Sequence, residues 1–351
     1  MGWPIGADVD VPPPGSRRFQ HPHPQPTAYP QMLRTWAWRQ DWWKAVVGIP
    51  TLLLATFVVA GFATLPILAL AVGVQTGIDG TDFGTVFSDA LSLKKVTPAS
   101  MLWLNLTLGS ATLIAWGLSR WLHRLGPRWL TSVKPGMRWR FFYACLGLAV
   151  VAIAAQVVLS VFLPDQETAG QVGTAMNHLS GQDVAIAVVI LFTTPLQAIG
   201  EEYAFRGYLM QALGSLFGTW VAVIATALMF AVAHGFQNFP LFFDRFAFGL
   251  LAGYLVVRSG GLEAGIALHI LNNYVAFGFA LLFGDITGTL NVQEVSWWNL
   301  PLTVTQSLVF LVLVLLVARR MRLRNKTDPP ALDTSSTPAS GAPIPIGDGS
   351  A

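Results

Sequence analysis

Eight apolar runs punctuate the chain, at about 43–74, 101–122, 141–163, 184–213, 218–237, 243–258, 262–283 and 301–318. Several are close to the roughly 20 residues that a helix needs to cross a bilayer. Composition points the same way. The chain is 53% hydrophobic and 11% charged, whereas a soluble domain carries about 25% charged residues. The pattern predicts an all-α polytopic membrane protein with about eight transmembrane helices. The single cysteine, Cys145, lies inside the third run and excludes an intrachain disulfide. The net charge of +3 is no argument for nucleic acid, because the basic residues cluster beside the apolar runs, where membrane topology accounts for them.

Three regions follow. Residues 1–42 form a Pro-rich arm expected to be disordered and cytoplasmic, residues 43–318 the membrane domain, and residues 319–351 a basic and then disordered tail. The HPHP stretch at 21–24 is thin ground for a metal-binding tail. The first apolar run starts late and runs long for a signal peptide. Orientation comes from loop charge. Arg17, Arg18, Arg34, Arg39 and Lys44 precede the first run, Arg120 to Arg140 fill the second connection, and ARRMRLRNK closes the last run. The third connection carries Asp165, Glu167 and Asp183 with no Lys or Arg, and the last loop only Asp285 and Glu294. Eight crossings with both termini cytoplasmic place the strongly basic stretches inside, as expected for the plasma membrane of a prokaryote, with Lys94-Lys95 as the exception.

Against this background, IGEEYAFRGYL at 199–209 is anomalous, since each charge within a membrane helix is costly. Glu202 and Arg206 stand four apart with the acid first, the favourable order for a helical ion pair. Glu201 points about 100° away and has no such partner, which suits a general base or acid. At 1.5 Å per residue it lies roughly 26 Å below residue 184, toward the cytoplasmic side. Two further runs carry polar interruptions: FAVAH ends at His234, and HILNN holds His269, Asn272 and Asn273. His269 and Asn273 share a helical face. Two intramembrane histidines and an unpaired glutamate on the fourth, fifth and seventh runs together suggest an active site. For His234 to meet the others, the fourth run must project past the bilayer to about Leu213 so that the fifth climbs back. Gln197, one turn before Glu201, suits either the same cavity or a packing hydrogen bond. The pair Asp244–Arg245 reads as a helix-end ion pair, and Gly253, Gly260, Gly261 and Gly265 as close-packing or turn positions.

These residues resemble a known family. EEYAFR matches EExxxR, FAVAH matches FxxxH and HILNN matches HxxxN, in that order, over about residues 184–283. They are similar to the CPBP family, the CAAX-prenyl-protease and bacteriocin-processing membrane proteins also called Abi proteins. The resemblance implies a glutamate-dependent intramembrane endopeptidase acting on a membrane-associated or lipidated peptide or protein. Glu201 with His234 would activate water, and His269 with Asn273 would stabilise the oxyanion. Glu202 and Arg206 would brace the helix or hold substrate, and Asn272 competes with Asn273 for the cavity. Zinc held by Glu201, His234 and His269 is left open, although no HExxH is present. The alternative is a non-enzymatic immunity or scaffold protein that uses the same cavity for a partner. A transporter finds no support in an inverted repeat.

Overall fold

The computed structural model describes residues 22–164 and 175–328. Among these residues the architecture is all-helical, without strands. We number the helices α1 (Trp38–Asp79), α2 (Phe83–Ser92), α3 (Pro98–Leu122), α4 (Trp139–Ser160), α5 (Gly181–Phe217), α6 (Thr219–Ala233), α7 (Phe239–Ser259), α8 (Glu263–Phe283), α9 (Ile286–Leu290) and α10 (Asn299–Arg320). Seven of the described helices, all but α2, α6 and α9, are long and apolar enough to cross a membrane. Each of the eight apolar runs forms a helix, but the fifth is the 15-residue α6. Helix starts follow local chemistry. Thr97 and Ser100 form a capping box ahead of α3, as do Ser180 and Asp183 ahead of α5, and Asn238 accepts from the Leu241 amide at the start of α7.

The helices end on two faces. One gathers residues 27–34, the connection 123–138, the α5–α6 turn, the α7–α8 turn and the stretch after α10. Tyr29 Oη donates to the Leu130 carbonyl, Arg34 Nε donates to the Ser215 carbonyl at 3.0 Å, and Arg138 clamps Glu263 at 2.6 Å. Among the described residues, the basic stretches 123–138 and 319–326, predicted to be cytoplasmic, lie here. The opposite face collects the α1–α3 connection, residues 175–180, the α6–α7 turn and the α8–α10 connection. Asn177 Nδ2 donates to the Leu281 carbonyl at 3.0 Å, and Asn238 Nδ2 to that of Val295 at 2.8 Å.

Two expectations need correction. Residues 22–42, assigned to a disordered arm, take a defined path, with Tyr29, Met32 and Leu33 buried. The first part of the tail pairs with them: the Thr327 amide donates to the Thr27 carbonyl at 2.9 Å, and the Thr27 amide returns a bond to Thr327 Oγ1 at 2.9 Å. A polar, proline-rich composition carries no record of such partners, which come from 300 residues away. His23 of the HPHP stretch bonds the Met32 carbonyl through Nε2 at 2.7 Å. The remainder of the arm, residues 1–21, the tail 329–351, and Asp165 and Glu167 lie outside the described residues.

Helix α5 organises the fold. Its 37 residues extend roughly 55 Å, well beyond a hydrocarbon core of about 30 Å. Every residue from Gly200 to Ala212 is buried, so this half is covered by protein. Its continuation to Phe217, followed by the turn at Gly218 (φ 99°) and the returning α6, supplies the projection expected from the sequence. Packing against α3 is close: a Cβ at Gly200 would fall 2.3 Å from the Leu108 carbonyl oxygen. Glycine at 200 therefore brings α3 within backbone contact beside Glu201. Asn105 Nδ2, bonded to Thr193 Oγ1 at 2.8 Å, ties the same two helices together.

Candidate active site

Glu201 and Glu202 close the regular part of α5, and the backbone then passes through a π-helical turn over Tyr203–Leu209. Such turns alter the angular relation of side chains and are often found at functional sites. Both carboxylates reach one imidazole. His269 Nδ1 lies 3.1 Å from Glu202 Oε1, while its Nε2 lies 3.6 Å from Glu201 Oε2. Only the first distance is a hydrogen bond. A carboxylate accepts, so Nδ1 carries the proton, and Nε2 is turned toward Glu201.

Beneath Glu202 the site is sealed. Arg206 Nη1 donates to Glu202 Oε1 at 2.8 Å, and both side chains are fully buried. The guanidinium lies 4.2 Å from the Phe230 ring centroid and 5.2 Å from that of Phe248. Aromatic faces therefore replace part of its lost hydration. Gly265, one turn before His269, makes room for the carboxylate: a Cβ there would fall 2.7 Å from Glu202 Oε2. The expected Glu202–Arg206 pair is present, with a second duty on the imidazole.

Above Glu201 the site opens into a cavity of about 610 Å³, lined by Gln197, Glu201, His234, Arg245, His269 and Asn273 among others. The expectation that Glu201 lacks a local partner needs correction. Gln197 Nε2 donates to Glu201 Oε1 at 2.6 Å, and Asn273 Nδ2 donates to Gln197 Oε1 at 2.8 Å. A side-chain relay thus runs from α8 to the glutamate. His234 caps α6, and its Nδ1 lies 2.8 Å from the Phe230 carbonyl. A carbonyl can only accept, so Nδ1 donates and Nε2 is left to the cavity. Phe230, the first residue of the FAVAH stretch, serves twice: its carbonyl fixes His234, and its ring covers Arg206.

Asn272 also lines the cavity, but its Oδ1 accepts from Gln306 Nε2 at 2.9 Å and not from the Gln197 relay. Asp244 and Arg245 do pair, at 3.2 Å, but they also line the cavity, and Asp244 accepts from Thr303 Oγ1 at 2.5 Å. The zinc option does not fit this geometry. Among the described residues no group of three or more His, Cys, Asp or Glu side chains is placed to hold a metal ion. A sequence reading overlooks Phe248, has Phe230 only as the first residue of FAVAH, and has Gly265 only as a close-packing or turn position. The i, i+4 spacings of Gly265 with His269 and of Phe230 with His234 are the only trace of the roles these two play.

Comparison with known proteins matches the segment that carries these residues. Residues 183–275 match the family model described as Type II CAAX prenyl endopeptidase Rce1-like. That segment holds Glu201, Glu202, Arg206, His234, His269 and Asn273. An uncharacterized 24.3 kDa protein of Escherichia coli is 30% identical over 142 residues, covering 38% of this chain and 63% of that protein. The uncharacterized protein YyaK of Bacillus subtilis is 24% identical over 197 residues, covering 51% of this chain and 63% of its own length. The chain thus spans less than two thirds of either relative. No solved structure matches.

Proposed function

Residues 183–275 are a domain of the Rce1-like CAAX prenyl endopeptidase family, a family of peptidases, and from that premise we propose that the chain hydrolyses a peptide bond of a membrane-associated or lipidated substrate. The observation that carries the reading is the union of the buried Glu201, Glu202 and His269, with Glu201 and His269 lining a cavity of about 610 Å³ and Glu202 bonded to the imidazole behind them.

In this reading Glu201 is the general base. Its Oε1 is held by Gln197, and its other oxygen takes a proton from water as the water oxygen attacks the scissile carbonyl carbon. His234 Nε2, turned to the cavity, orients the same water. When Glu201 accepts the proton, its negative charge is replaced by that of the tetrahedral oxyanion, so the net charge of the cluster does not change. The oxyanion takes hydrogen bonds from His269 Nε2–H and from the Asn273 N–H not engaged with Gln197. The carbon–nitrogen bond then breaks, and the proton on Glu201 passes to the departing nitrogen. Glu202 orients the imidazole through Nδ1, and Arg206 in turn holds the Glu202 carboxylate in place. The lining includes Leu104, Leu108, Ile153, Leu268 and Phe277, apolar surface suited to a hydrophobic or lipidated segment.

The test is quantitative profiling of new peptide termini in membranes expressing wild type or Glu201→Gln at matched levels. Termini present with wild type and lost with Glu201→Gln support proteolysis and identify substrates. Identical profiles from two folded proteins contradict it and leave the cavity as a partner-binding site.

A further inference from the structure

The sequence places Glu201 toward the cytoplasmic side, yet the cavity leads the other way. Its lining rises from Glu201 and His269 through Asn273 and Phe277 of α8 to Thr289–Gln293 of the α8–α10 connection. It also includes Phe236 and Gln237 of the α6–α7 turn. All of these loop residues belong to the face opposite the basic clusters. None of the lining comes from residues 22–37, 123–138 or 321–328.

The basic face is closed instead. Below Glu201 stand the buried side chains of Tyr203, Phe205, Leu262 and Ile266. Thr131 and Tyr203 hydroxyls bond at 2.6 Å, and the Val133 amide donates to the Gly260 carbonyl at 2.8 Å. Outside them the 22–37 segment lies across the end of α5, with Pro30 packed on Gly214, where a Cβ would fall 2.1 Å from its carbonyl. The face that charge assigns to the cytoplasm is plugged by protein at every level the structure describes.

Loop charge then gives the open face its compartment. Arg124, Arg128, Lys134, Arg320, Arg322 and Arg324 lie on the closed face, whereas the open one carries Lys94 and Lys95 among the acidic Asp79, Asp82, Asp89, Asp183, Asp285 and Glu294. An excess of Lys and Arg marks the cytoplasmic side. Phe236, fully exposed, lines the mouth, and on the same face Phe239 stacks on Trp297, aromatic side chains of the type that settles at a membrane–water interface.

We infer that the catalytic cavity opens on the extracytoplasmic face, so that the scissile bond belongs to an exported or outer-leaflet segment of a membrane-associated polypeptide. The identity of the substrate as a polypeptide rests on the peptidase reading above; the direction of the mouth does not. Two single-cysteine probes decide the direction. Gln293→Cys places a thiol on the exposed rim, and Lys134→Cys one on the closed face. Native Cys145 is fully buried, so the unsubstituted chain is the blank. Right-side-out membrane vesicles are treated with a membrane-impermeant maleimide before and after detergent. The expected result is near-complete labelling of Gln293→Cys in sealed vesicles, with Lys134→Cys labelled only after detergent. The reverse pattern overturns the inference. If Gln293→Cys does not accumulate, Phe236→Cys on the same rim gives the same readout. Labelling is independent of turnover, so a failure of the peptidase reading leaves this result standing, and the converse holds. Termini lost with Glu201→Gln are expected in exported segments, and finding them confined to cytoplasmic segments contradicts the orientation.

Discussion

Adjacent residues on α5 look into two different environments. Glu202 faces a region buried by Arg206, Gly265, Phe230 and Phe248, whereas Glu201 faces an open cavity through Gln197, His234 and Asn273. The difference separates scaffold from chemistry within a single EE dipeptide. A buried carboxylate paired with a guanidinium is poorly placed for proton exchange with substrate, but it can fix the orientation of the imidazole next to it. A carboxylate at the floor of a cavity, with one oxygen held by an amide, can exchange a proton at the other. His269 joins the two regions, presenting one ring nitrogen to each.

Substitutions that respect this boundary should separate folding from turnover. The largest effect is expected for Arg206→Met, which strands a buried carboxylate and should cost about 3–5 kcal/mol of stability. It should be read as a large fall in the melting temperature of the detergent-solubilised protein, and a melting temperature near wild type would show that Glu202 is not sealed. Next, Asn273→Leu should leave melting nearly unchanged while slowing release of new termini by roughly 10²–10³-fold, the scale of a lost oxyanion donor. Asn272→Leu serves as its control, since Asn272 lines the same cavity but is bonded to Gln306 and not to the Gln197–Glu201 relay. Equal losses of rate in the two variants would erase the distinction drawn between these amides.

Gly265→Ala adds one methyl group to the sealed side, where it meets Glu202 Oε2. Overpacking of this kind costs about 1–3 kcal/mol, and the melting temperature should fall by less than in Arg206→Met. The smallest effect sharpens the open side. Gln197→Met keeps the volume but frees Glu201 Oε1 and Asn273 Nδ2, and should slow turnover about tenfold through a less well-oriented base with little change in melting. A melting loss as large as that of Gly265→Ala would move Gln197 from the reactive side to the scaffold.

The sequence made some of this division legible. Apolar runs and their interruptions located α5, α6 and α8, because both membrane span length and the cost of an intramembrane charge act locally along the chain. The i, i+4 spacing exposed the Glu202–Arg206 pair for the same reason. Gln197 was visible only as a residue on the Glu201 face, since its second partner, Asn273, is 76 residues away. Gly265 read as a packing glycine because the group it accommodates belongs to another helix. The direction of the cavity was the least legible feature. Depth along α5 places Glu201 toward the basic face, but access depends on what plugs that end, and the plug includes residues 22–37, whose composition suggested disorder. His269 between both carboxylates was hidden by the rule that adjacent helical residues diverge, which constrains where side chains leave the backbone and not what a third side chain can bridge.

The measurement that bears most directly on the account is hydrolysis of a recovered substrate by purified Glu201→Gln in lipid nanodiscs, with its melting temperature recorded on the same sample. The account predicts a loss of turnover of roughly 10²–10⁴-fold, the contribution of a general base, with melting close to wild type. Turnover near the wild-type rate from a folded Glu201→Gln would contradict it.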